Sequence, residues 1–116
     1  MRDAFFDAYV ECALWSSLDE NGHNLDDNYT SRDIDVYSLA VMRLQCDRFQ
    51  KNNQGLLDKS GLAIDRLGHN FWLSRNGHGS GFFDEGTPVD EELQHVAKEC
   101  GECNLYIGDD GKLCIS

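Results

Sequence analysis

The sequence predicts an α+β fold: a single small domain over residues 1–116, with an antiparallel sheet of about four strands packed with about three helices. Three observations predict it. Asn76-Gly77 lies between aromatic, extended-looking runs, a strong hairpin signal, and Asp109-Asp110-Gly111 marks a second hairpin. Three other stretches carry apolar residues at helical spacing. No strand–helix–strand alternation occurs, which points to an antiparallel rather than a parallel sheet. The length suits one hydrophobic core, since such cores usually span about 100–150 residues.

The first helix is expected from Asp3 to Ser16. It is apolar almost all round, through Phe5, Phe6, Tyr9, Val10, Ala13, Leu14 and Trp15. Asp3, Asp7 and Glu11 interrupt it at four-residue steps, placing one acidic stripe on an otherwise buried helix. Successive carboxylates at that spacing stand about 6 Å apart, close to the interval between phosphates along one DNA strand. The plainer reading of the stripe is the solvated face of a core helix.

Leu18 to Asp35 is polar, with Asn21-Gly22 and Asn28 as turn signals. Asp19, Glu20, Asp26, Asp27, Asp33 and Asp35 stand there against a single basic residue, Arg32. A calcium loop fails on spacing, because Gly22 falls too soon after Asp19. The segment reads as a solvated or partner-facing acidic loop. Thr30 and Asp33 fit a capping box opening a second helix, which runs to about Lys51 and buries Val36, Leu39, Met42, Cys46 and Phe49. Leu56 to Leu67 reads as a loop with a short helix, closed by Gly68 as its C-cap. Pro88 sits at the first turn of a third helix, Val89 to about Glu99, with Asp90, Glu91 and Glu92 on its positive end. Leu105 to Ile107 and Lys112 to Ile115 form the closing hairpin.

The segment from His69 to Asp84 is the most distinctive. A two-residue loop at Asn76-Gly77 sets Arg75 opposite His78, Leu73 opposite Ser80, Phe71 opposite Phe82 and His69 opposite Asp84. Trp72 and Ser74 would cover Gly81 and Gly79 on the other face. His69/Asp84 and Arg75/His78 would then lie about 20 Å apart, too far to form one catalytic centre. A His69–Asp84 pair could act as a general base with its orienting carboxylate, but cross-strand pairs of this kind mostly stabilise sheets. Ser80 lacks the nucleophile-elbow glycines, and Gly77, Gly79 and Gly81 lack dinucleotide-binding spacing. Arg75, Asn76 and His78 read instead as an exposed recognition tip.

Five cysteines, an odd number, suggest reduced thiols in a cytosolic compartment. Met1-Arg2-Asp3 meets an acid before any apolar stretch, so no signal peptide is expected, and no apolar run approaches the ~20 residues that span a bilayer. Cys100-Gly101-Glu102-Cys103 is a CxxC. His95, Cys100, Cys103 and Cys114 are the one set that could hold zinc, but the second CxxC or HxxxH is missing. The CxxC falls at a helix C-terminus, where the dipole opposes a reactive thiolate. Neither a metal nor another cofactor is expected.

Charge bounds the partners. Twenty-one acidic residues stand against ten basic ones, a net charge of −11. Such a field repels nucleic acid and membrane phosphates and attracts basic surfaces. Direct nucleic-acid binding and membrane association are disfavoured, and a basic protein or nucleoprotein complex is the expected partner.

Tyr9-Val10-Glu11-Cys12-Ala13-Leu14-Trp15-Ser16-Ser17, Leu25-Asp26-Asp27-Asn28-Tyr29, the run Gly68 to Asp84 with its FWLSRNGHGSGF core, and Leu105 to Gly111 together carry a resemblance. They resemble small acidic proteins encoded by bacteriophages and prophages, over nearly the whole chain. The resemblance implies a setting, the cytoplasm of an infected bacterium, and no activity. The expectation is a non-enzymatic protein that binds and inhibits a host nucleic-acid-handling complex, such as a CRISPR or restriction system, through acidic mimicry of nucleic acid. Its binding residues are expected among Asp3, Asp7, Glu11, Asp19, Glu20, Asp26, Asp27, Asp33 and Asp35, with Arg75, Asn76 and His78 at the tip. The alternative is a small enzyme or ligand-binding protein on the His69/Asp84 face.

Overall fold

The computed structural model describes residues 3–116; Met1 and Arg2, on which the expectation of no leader partly rests, lie outside them. The chain opens with α1 (Ala4–Ser16), followed by 3-10 turns at Leu25–Asp27 and Ser31–Asp33. Then come α2 (Val36–Asn52), α3 (Gln54–Ser60) and α4 (Ile64–Arg75). A 3-10 turn at Phe82–Asp84, α5 (Asp90–Glu99), β1 (Leu105–Ile107) and β2 (Leu113–Ile115) complete it. The fold is therefore mostly helical. The expected four-stranded sheet with about three helices is corrected to five α-helices and one antiparallel pair, β1–β2, among the described residues.

Several boundaries follow from caps. The Asp3 carboxylate accepts the Phe6 N–H at 3.1 Å and opens α1. Thr30 and Asp33 do form a capping box, but on a 3-10 turn. α2 opens at Asp35, whose carboxylate accepts the Ser38 N–H at 3.1 Å. Val36, expected in the core, is 83% exposed because it starts that helix on the solvent side. Met42, Cys46 and Phe49 are buried as expected.

The largest correction concerns His69 to Asp84, which forms no hairpin. Gly68 does not end a helix; it lies inside α4, where α1 crosses. A Cβ there would stand 2.0 Å from the Phe5 carbonyl oxygen, so the residue is glycine to admit the neighbouring backbone. Asn76-Gly77 ends α4 instead of turning a hairpin. Gly77 is left-handed (φ 68), its N–H donates to the Ser74 carbonyl, and the His78 N–H donates to the Leu73 carbonyl. That is the Schellman pattern of a helix C-terminus. The short helix expected between Leu56 and Leu67 becomes α3, and its left-handed cap is Gly61.

The aromatics predicted for a hairpin face form the centre of the core. Phe71 stacks on Phe49 with ring centroids 4.0 Å apart, and Phe82 and Phe5 close around them. Trp72 meets Tyr9 edge-on and donates its indole N–H to Ser16 Oγ at 2.8 Å. The closing hairpin pairs Leu105 with Ile115, Tyr106 with Cys114 and Ile107 with Leu113, as its turn signal predicts. Leu113 also bridges Ile34 in parallel, tying the ribbon to the start of α2. No helix is long and apolar enough to cross a membrane among the described residues.

Candidate functional site: an acidic groove along α1

α1 is buried on every side but one. Apart from the half-buried last residue, Ser16, its exposed or half-exposed positions are Ala4, Asp7, Ala8, Glu11 and Trp15, one stripe of the helix. Walls rise on both sides of it. Asp65 at the start of α4 flanks Ala4, Ala8 and Glu11. Opposite, Tyr29, Thr30, Ser31 and Asp26 border a hollow of about 420 Å³, whose apolar side comes from Phe6, Val10, Leu14 and Leu39. At the C-terminal end of the stripe, Trp15 lies against the His69 ring, with centroids 6.1 Å apart. Glu11 lines all three hollows and joins them.

The charge of this groove is one-sided. Asp7, Glu11, Asp26 and Asp65 line it, and among the described residues no Lys or Arg lines it, although Arg43, paired with Asp3, stands over the Phe6 ring at 4.4 Å. Glu11, Asp26 and Asp65 are exposed. His69 adds no positive charge near neutrality, because burial, and then the adjacent Arg66, push its pKa below the ordinary 6.5. Arg66 is itself held by Glu85, through Nη2 to Oε1 at 2.6 Å. The arrangement offers carboxylates around an apolar floor, which suits a cationic, partly apolar surface.

The other acidic residues expected at a binding surface have local work. Asp3 caps α1 and pairs with Arg43 at 2.9 Å. Asp33 closes the capping box and Asp35 opens α2. The Asp19 carboxylate accepts the Asn21 and His23 N–H groups, which hold its pKa below the usual range. Glu20 and Asp27 are exposed, away from the groove lining. Of the nine acids, then, Asp7, Glu11 and Asp26 come together in the groove.

The expected recognition tip is dismantled. Arg75 is 4% exposed. Its guanidinium donates to the Gly101 and Cys100 carbonyls at 2.8 and 3.0 Å, to Gln45 Oε1 at 2.7 Å and to Tyr9 Oη at 3.0 Å. All four acceptors are neutral, and together they dock the end of α5 onto α4 and α1. Asn76 also works internally, donating to the Trp72 carbonyl and accepting the Cys103 N–H. His78 is exposed, beside a polar cleft formed with Ser16, Ser17 and Glu102.

The His69–Asp84 pair is not made either. His69 faces Trp15, while the Asp84 carboxylate accepts the Gly81 N–H at 3.2 Å. Cys103 is buried, whereas Cys100 is exposed and His95 pairs with Glu99 at 3.0 Å. No three His, Cys, Asp or Glu side chains gather as a metal-binding group among the described residues. The CxxC does sit at the C-terminus of α5, and burial raises both its thiol pKa values.

Asp65, Trp15, Ala4, Ala8 and Tyr29 were not expected at the site. The signal for Ala4 and Ala8 lay in α1: a helix apolar on all other sides must leave its small and acidic positions outward. No protein-family model matches the chain, and no curated protein or solved structure matches it.

Proposed function

We propose that the chain is a phage-encoded binding protein, without a catalytic step of its own. In the infected bacterial cytoplasm it occupies a basic, nucleic-acid-handling surface of a host complex, such as a CRISPR or restriction assembly, and blocks it. The single observation that carries this reading is the groove along α1, where the exposed carboxylates of Glu11, Asp26 and Asp65 meet an apolar floor with no Lys or Arg in the lining among the described residues. Carboxylates placed on a basic channel compete with phosphate for the same cations, and a net charge of −11 steers the encounter. The resemblance to acidic phage proteins supplies the setting.

The test is capture from bacterial lysate at low and at high salt, using wild type beside a Glu11→Gln/Asp26→Asn/Asp65→Asn variant. Retention of a nucleic-acid-processing complex by wild type alone, released by salt, is the expected outcome. Equal retention by the variant, or binding indifferent to salt, contradicts it.

A further inference from the structure

We propose that the groove receives an amphipathic basic helix of the partner, laid lengthwise along α1. This rests on the reading of the groove as the site for a basic partner, and goes beyond it by naming the shape of the occupant. Ala4, Ala8, Glu11 and Trp15 follow one another in steps of four, three and four. That is the spacing by which one helix meets another along a shallow crossing. The two alanines keep the exposed stripe low, beside the apolar hollow, and admit close approach of a second backbone, and Trp15, 52% exposed, offers an aromatic anchor at the far end. From Ala4 to Trp15 the stripe runs about 16 Å, at about 1.5 Å per residue, which matches three turns of an incoming helix.

Charge decides between occupants. Cationic side chains flanking the apolar face of such a helix would meet Asp65 on one side and Asp26 on the other, with Glu11 between them. A second copy of this chain would bring the exposed Glu11, Asp26 and Asp65 of this face against carboxylates of the same face, under a net charge of −11 on each molecule. An extended basic tail could satisfy the carboxylates, but it would make no use of the four-three-four stripe. The occupant is therefore a basic helix from another protein.

Two synthetic peptides of about 15 residues test this, one with Lys and Leu patterned as an amphipathic helix and one with the same composition scrambled. They are titrated against the intact chain, an Ala8→Trp variant that raises the exposed stripe of α1 without changing charge, and the Glu11→Gln/Asp26→Asn/Asp65→Asn variant. The patterned peptide is expected to gain helical circular dichroism on binding and to bind at least about tenfold more tightly than the scrambled one. Ala8→Trp should erase that advantage, and the neutralised variant should weaken both peptides.

Equal binding of both peptides, unaffected by Ala8→Trp but weakened by neutralisation, overturns the helix while leaving the acidic-groove reading intact. Binding of neither peptide overturns both. Sedimentation of the free chain as a dimer that Ala8→Trp dissociates makes the occupant a second copy, and overturns the proposal as well.

Discussion

At the scale of single residues, the acids of this chain fall into two groups. Asp3, Asp33, Asp35, Asp84 and Asp90 spend their carboxylates on nearby backbone N–H groups. Such caps typically contribute about 1 kcal/mol each. Glu11 and Asp26 are exposed in the groove and carry no such role. A count of acids cannot separate these groups; position relative to a helix start can. Two other residues bear more weight than their type suggests. Gly68→Ala should gain about 1 kcal/mol of helix propensity, yet it drives a Cβ against the Phe5 carbonyl. Backbone at 2.0 Å cannot yield cheaply, so the net effect is a loss of about 1–3 kcal/mol or more, read as a lower midpoint in urea. Arg75→Met leaves four neutral acceptors without their donor, at about 1–3 kcal/mol for each one stranded in the interior. Arg75→Lys should rescue little of that stability, because one ammonium cannot span a planar fork. Full recovery with Lys would show that charge, rather than the fork, holds α5 in place.

Among the elements, what was legible depended on how many structures one signal can serve. α1, the body of α2, α5 and the closing hairpin were readable, because periodicity and turn residues there point the same way. The α4 region was not. Asn-Gly opens a type I′ hairpin turn and equally ends a helix, since both need a left-handed glycine. Reading Gly68 as a stop cut the helix in half, and the remaining aromatic run then looked like a strand. Its almost continuous burial, Phe71 to Arg75, gives no alternation to correct the error. The groove is half legible for the same reason: Asp7, Glu11 and Asp26 stand out in the sequence, while Asp65 lies on the helix whose pattern is ambiguous. Gly77→Ala distinguishes the two structures. In a Schellman cap with φ 68 it should cost about 1–2 kcal/mol and leave the far-UV spectrum dominated by helix. A spectrum dominated by strand in the wild type would contradict the fold itself.

For the whole molecule, the core and the field act together. The radius of gyration, 13.9 Å, is close to the roughly 13 Å expected of a compact chain this long. Burying Arg75 removes one of ten basic residues from the surface, so the outside is more negative than composition alone implies. Acid should destabilise the fold in two stages. His69 is held neutral below its ordinary 6.5, so the unfolded chain binds more protons, and stability falls as the pH drops below 6.5. Glu85, held ionised below its ordinary 4.5 chiefly by Arg66, adds stability that is present above pH 4.5 and lost as the pH falls further. Urea midpoints between about pH 7 and pH 3 check both stages, and His69→Gln should remove the first alone.

The most direct measurement compares two variants of equal net charge for their affinity toward the captured host complex. One neutralises the groove, Glu11→Gln/Asp26→Asn/Asp65→Asn, and the other neutralises exposed acids elsewhere, Glu91→Gln/Glu92→Gln/Glu102→Gln. If the α1 groove is the binding face, the first loses affinity by about tenfold or more while the second stays near wild type. Equal losses in both would mean that bulk charge alone drives the encounter, and would contradict a defined acidic site on α1.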